Sequence, residues 1–176
     1  FFLFLLSGFV LLTTSHTVYA QPKGVKERLD EVEFSKSRTD KSALYKGLEL
    51  YKYYWQQFNI KMDASAPAYA QYVTLKRGAS SKDFIVLYRK PEMGGNCSRL
   101  GCEISVFEDT GNNKWRLVLT AFSDNFFISN IATDGYYNIH LTSSTLGTNE
   151  EGDVRKTKFI WTGNKYKSVR DIEKKD

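Results

Sequence analysis

EISVFEDTGNNKWRLVLTA, residues 103–121, reads as two β-strands around one turn. In the second half Trp115, Leu117, Leu119 and Ala121 alternate with Arg116, Val118 and Thr120. A period of two is that of a strand with one face on a core. Between the halves Asp109, Thr110, Gly111, Asn112 and Asn113 form a cluster of turn residues, which supply left-handed backbone and local side-chain hydrogen bonds. Strand, turn and strand at this spacing predict an antiparallel hairpin.

The same cadence runs outward on both sides. Gln71–Lys76 and Phe84–Lys90 precede the hairpin as predicted strands, and Asn125–Ile131, Tyr136–Thr142, Lys156–Thr162 and Tyr166–Arg170 follow it. Turn clusters at Arg77–Ser81, Asp134–Gly135 and Thr162–Lys165 punctuate them, and Gly147–Asp153 reads as an exposed acidic loop. Upstream, Asp40–Met62 changes to a helical period. Leu44, Leu48, Tyr51, Trp55 and Phe58 draw one apolar stripe along it, with Asp40 or Ser42 able to cap its start. Tyr45, Tyr53 and Tyr54 lie off the stripe and are candidate partner-binding residues. Gln21–Thr39 is charged, and Val25, Leu29 and Val32 recur at a spacing that suits either a short helix or a loose arm. The expected fold is α+β: an N-terminal amphipathic helix (residues 40–62) on a mainly antiparallel sheet or partly open barrel of about seven or eight short strands (residues 69–170). Residues 40–176 would be one domain.

Residues 1–20 carry no charged side chain. Their apolar core spans Phe2–Leu12 and is followed by Thr13–Thr17 and the small-x-small pattern Val18-Tyr19-Ala20. A membrane span needs about 20 apolar residues, so this reads as a secretory signal peptide cut after Ala20. Its missing basic start and Met lead us to expect residues before Phe1. The mature chain would be periplasmic or secreted, with no stable membrane anchor. Its net charge is +5, with acids interleaved among the bases; a nucleic-acid binder would concentrate them on one stripe, so no nucleic-acid partner is expected.

The two cysteines, Cys97 and Cys102, both fall in the exported part. An even count in an oxidising compartment implies a disulfide, and so short a loop is worth only about 2 kcal/mol by chain entropy. It would act as a local clamp on Ser98, Arg99, Leu100 and Gly101, the second set of candidate partner-binding residues. A metal site would need more Cys or His ligands, and a redox pair of the common kind has two intervening residues, where this has four. His140 is the one imidazole beyond residue 20, so any His-dependent mechanism runs through it. It sits mid-strand with no nucleophile motif beside it. Glu103, Glu108, Asp109, Asp124 and Asp134 fall at strand ends and turns, where nothing in the sequence pairs them. No catalytic residue, metal or cofactor is expected.

The strand leading to Cys97-x-x-x-x-Cys102, continuing as Glu103-Ile104-Ser105-Val106-Phe107-Glu108 after a signal peptide and a helix, resembles the Ivy-type periplasmic lysozyme inhibitors. In that family a disulfide-closed loop of the same spacing enters the lysozyme cleft. The resemblance covers about a third of the chain, and it departs at one point: the family's loop carries a His, whereas this loop has Arg99. Leu100, Gly101 and Cys102, with the later Asp134-Gly135-Tyr136-Tyr137 and Trp161-Thr162-Gly163, also resemble uncharacterised exported bacterial β domains. The expectation is an exported, non-enzymatic binding protein that inhibits an exported or host hydrolase through the Cys97–Cys102 loop, its partner a protein of the envelope or outside the cell. The alternatives are an envelope interaction or adhesion module for glycan or membrane components, and a small hydrolase.

Overall fold

Two turns establish the hairpins on which the fold is built. Asn112 and Asn113 both adopt positive φ (53° and 58°), as do Asp134 and Gly135 (52° and 80°). Asn, Asp and Gly tolerate that region, and two such residues in succession suit the right-handed twist of flanking strands. The computed structural model describes residues 24–58, 67–79, 83–89, 97–98, 101–144 and 154–170. Within them run β1 (Leu29–Val32), α1 (Lys41–Gln56), β2 (Ala68–Val73), β3 (Phe84–Arg89), β4 (Cys97–Ser98), β5 (Gly101–Gly111), β6 (Lys114–Ser123), β7 (Asn125–Thr133), β8 (Tyr136–Ser144), β9 (Val154–Trp161) and β10 (Tyr166–Ser168). The predicted signal segment and the acidic loop at 147–153 lie outside the described residues.

The strands form two antiparallel sheets. Sheet 1 has the order β1-β7-β8-β9-β10; sheet 2 runs β2-β3-β5-β6, with β4 paired to the end of β5 beyond β3. Only Asp124 separates β6 from β7, so the chain turns one corner from sheet 2 into sheet 1. Phe84, Val86, Ile104, Val106, Phe126, Ile139 and Trp161 share the core between the sheets. On the other face of sheet 2, Ile85, Leu87 and Phe107 pack under α1 against Ala43 and Tyr51. Every residue of β3 is buried because it serves both layers.

Mainly antiparallel β-structure with one helix was expected and is found; three finer expectations are corrected. The strands divide into two sheets that do not close into a barrel. The helix is not N-terminal, because β1 precedes it and pairs with β7. Residues 29–32 are therefore a strand, where the spacing of Val25, Leu29 and Val32 suited a helix or a loose arm. Val25 and Leu29 are exposed, and the inward anchors are Val32 and Phe34, the latter stacked on Tyr88 at 4.9 Å.

The helix ends at Gln56, short of the expected Met62; Asp40 caps it, its Oδ1 accepting from the Ser42 and Ala43 backbone. Its line of closest contact is Ala43, Gly47 and Tyr51 rather than the larger side chains of the predicted stripe. A Cβ at Gly47 would stand 3.2 Å from Ile85 Cγ2, so the small residues let the helix axis come down onto the sheet. Leu44, Leu48 and Trp55 flank that line, and Phe58, past the helix end, is exposed. The alternation read at residues 115–121 is broken as well. Val106 pairs with Leu119 and Phe107 with Leu117, which leaves Val118 as a bulge. A bulge shifts the phase by one residue: Trp115 and Leu117 join the helix-side cluster, Leu119 and Ala121 the core between the sheets.

Candidate functional site

The disulfide hairpin is built on the end of β5. Cys97 pairs directly with Cys102 and Ser98 with Gly101, and Cys97 and Cys102 are disulfide-bonded. Arg99 and Leu100, between the last pair, lie outside the described residues. Gly101 has φ 101°, and a Cβ there would lie 2.4 Å from the Ser123 carbonyl carbon and 2.7 Å from the Asp124 nitrogen. The returning strand thus rests against the backbone of the corner between the sheets. That corner is itself held: the Asp124 N–H donates to the Thr142 carbonyl at 2.8 Å, and Ser123 Oγ lies 2.7 Å from the same oxygen.

Immediately behind the hairpin, Glu103 stands directly across from Arg89, and both are 3% exposed. Tyr51 reaches down from α1 to join them. Its hydroxyl donates to Glu103 Oε2 and accepts from Arg89 Nη1 at 2.9 Å, while the guanidinium carbon lies 4.8 Å from its ring centroid. Burial, and then the Glu103 carboxylate, hold the Tyr51 phenol above its ordinary value, so it remains a neutral donor. This charged layer ties helix, sheet and hairpin base together. Nearby on the same face, Ser105 is 1% exposed and its Oγ has no hydrogen-bond partner among the described residues. A buried hydroxyl without a partner costs about 1–3 kcal/mol. Ser105→Ala is therefore expected to raise stability by about 1 kcal/mol, read as an upward shift of the urea midpoint with an unchanged slope.

The off-stripe tyrosines separate. Tyr45 and Tyr53 are 74% and 66% exposed. Tyr54 is half-buried, edge-on to Trp55 and tilted against Phe58. The three do not make one surface.

His140 lies on the outer face of sheet 1, beneath the segment leading into β1. There Glu27 Oε1 accepts from Ser129 Oγ at 2.7 Å and Lys158 Nζ at 3.3 Å, and lies 2.9 Å from His140 Nε2. Beside it the Asn130 N–H donates to the Arg28 carbonyl at 3.0 Å, and the Arg28 N–H donates to the Asn130 side-chain Oδ1 at 2.8 Å. Residues 26–28 thus form a strap, with Glu27 reaching three strands, and no sequence signal pointed to Glu27. Burial raises the Glu27 pKa, but the hydrogen bonds from Ser129 and His140 and the Lys158 charge outweigh it and hold the carboxyl below its usual 4.5. A depressed folded value stabilises above the unfolded value and is lost as pH falls through the folded one. Glu27→Gln should therefore lower the urea midpoint at neutral pH, and the gap to wild type should close on acidification below about 4.5.

The other acids are apart from one another. Glu108 is buried on the face of β5 opposite Glu103, paired with Arg116 and accepting from the Tyr136 hydroxyl at 3.1 Å. Asp109 caps its own turn through the Gly111 N–H, and Asp134 is a turn residue. Among the described residues no three His, Cys, Asp or Glu side chains group to hold a metal ion. An open cleft of about 420 Å³ lies between β1 and the end of β2, lined by Arg28, Asp30, Val73, Thr74, Ile128 and Tyr137 among others. Its lining includes no member of the hairpin or the charged layer. No protein-family model, curated protein or solved structure matches the chain.

Proposed function

We propose that the chain is an exported, non-enzymatic binding domain that engages a protein partner through the Cys97–Cys102 hairpin, as an inhibitor of an exported or host hydrolase. The observation that carries this reading is the mounting of the hairpin. The disulfide closes it, Gly101 seats it on the Ser123–Asp124 backbone, and the Glu103–Tyr51–Arg89 layer lies directly behind it. A hairpin whose base is anchored before binding has less to order when it docks, and Arg beside an apolar residue, as in Arg99-Leu100, is a composition suited to a binding anchor. The disulfide suits an oxidising compartment, in keeping with the periplasm or the exterior. The resemblance to Ivy-type inhibitors makes lysozymes the first partners to try, with Arg99 offering a charge-assisted contact to a carboxylate where that family has its His.

The test is calorimetric titration against a lysozyme panel and capture from envelope extract, using the chain from Gln21 beside Arg99→Ala/Leu100→Ala. Binding or inhibition by the first that is lost in the second supports the hairpin. Equal binding by both refutes it. A second reading rests on Tyr45 and Tyr53, whose rings are largely exposed on α1: an envelope adhesion module for glycan or membrane components. It predicts salt-sensitive glycan binding that survives the hairpin variant and is lost in Tyr45→Ser/Tyr53→Ser.

A further inference from the structure

We infer that copies of this chain associate head to tail through the two open edges of sheet 1, the acidic edge at β1 and the basic edge at β9. Among the described residues, nothing pairs with the outer edge of β1. At the other end, β10 covers only Phe159–Trp161 of β9, and among the described residues no strand pairs with Val154–Lys158 on that side. Unpaired strand edges are templates for another strand, and proteins guard them with charge. Here the guards have opposite sign. β1 carries Asp30 and Glu31, and the open part of β9 carries Arg155 and Lys156; Glu33 just beyond β1 pairs with Arg38, and Lys158 with Glu27. Like charges keep each edge from pairing with its own kind. They do not keep the acidic edge from the basic one.

The register supports the match. Glu31, Phe127, His140 and Lys158 form one row across the sheet, so Glu31 and Lys158 share a face, and Lys156, two residues along, shares it too. Asp30, Ile128, Ile139 and Phe159 form the neighbouring row on the opposite face, with which Arg155 is in phase. Strand directions alternate across the sheet, so β1 of a second copy laid beside β9 is antiparallel to it. With Glu31 opposite Lys156, Asp30 falls diagonal to Arg155, and both pairs lie within side-chain reach. Asp30 gives up only an exposed ion pair with Arg28, and Arg155 and Lys156 are exposed. The contact joins unlike surfaces, so it is heterologous and yields rings or open chains of copies rather than a closed two-fold dimer.

Sedimentation velocity of the chain from Gln21 across a wide concentration range tests this. The expected result is concentration-dependent oligomers at low salt that dissociate in 1 M NaCl, where the Debye length is about 3 Å. Arg155→Glu/Lys156→Glu and, separately, Asp30→Lys/Glu31→Lys should each weaken association about tenfold, with circular dichroism confirming the fold. The quadruple variant, which exchanges the signs of the two edges, should restore it. A monomer at every concentration overturns the inference, and so do oligomers that ignore salt and both double variants. If one double variant misfolds, the other, on the opposite edge, decides.

Discussion

Arg89→Met destabilises the protein by about 3–5 kcal/mol, the expected cost of removing one charge from a buried, oppositely charged couple that the Tyr51 hydroxyl bridges. Arg89 and Glu103 are each 3% exposed, and Tyr51 bridges them. Met replaces the guanidinium with comparable volume, so what remains is a carboxylate in an apolar layer with, among the described residues, the Tyr51 hydroxyl alone to serve it. The distinguishing variant is the double Arg89→Met/Glu103→Gln. Removing the charge as well should return more than half of the loss, because the penalty belongs to the uncompensated carboxylate rather than to lost packing. Urea denaturation of wild type, the two single variants and the double gives the coupling directly. A cost under about 1 kcal/mol for Arg89→Met would mean that the charged layer is not energetically coupled.

Gly101→Ala has the second large effect, about 2–5 kcal/mol, combining a strained backbone at positive φ with overpacking. The added methyl would lie 2.4 Å from backbone, and backbone at a corner cannot rotate away as a side-chain tip can. The hairpin base must lift from Ser123–Asp124, or the corner between the sheets must open. Thermal unfolding reads the stability loss. If the hairpin is the binding element, partner affinity falls in the fraction that stays folded, whereas an adhesion surface on α1 keeps its affinity. A tolerated Ala would show that the hairpin is not pressed on the corner.

Apart from β4, the strands from Phe84 onward were readable because each alternates or is uniformly apolar and ends in turn residues; Asp134–Gly135 and Asn112–Asn113 sit where turn chemistry put them. The division into two sheets was not readable. It depends on the single residue Asp124 between β6 and β7, and nothing in Phe122-Ser123-Asp124-Asn125, though it reads as a break between strands, marks a passage from one sheet to the other. β1 escaped because Leu29-Asp30-Glu31-Val32 gains its identity from β7, some hundred residues away. For the candidate site, the disulfide followed from the even cysteine count and the expected oxidising compartment. The charged layer behind it did not, since Tyr51 looked like one more member of an apolar stripe and Arg89 like the polar end of a strand. Only the register that sets Arg89 across from Glu103 reveals their partnership.

The strap has a consequence for the order of assembly. Residues 26–28 are synthesised ahead of the rest of the domain, yet Glu27 meets Lys158 across 131 positions of sequence. The hairpins β5–β6, β7–β8 and β9–β10 close short loops and can form as they appear, while contacts of such long separation await the rest of the chain. The first segment delivered is thus the last to dock. Until then β7 has a bare edge, and the basic end of β9 emerges into the same space as an arm still searching for its place.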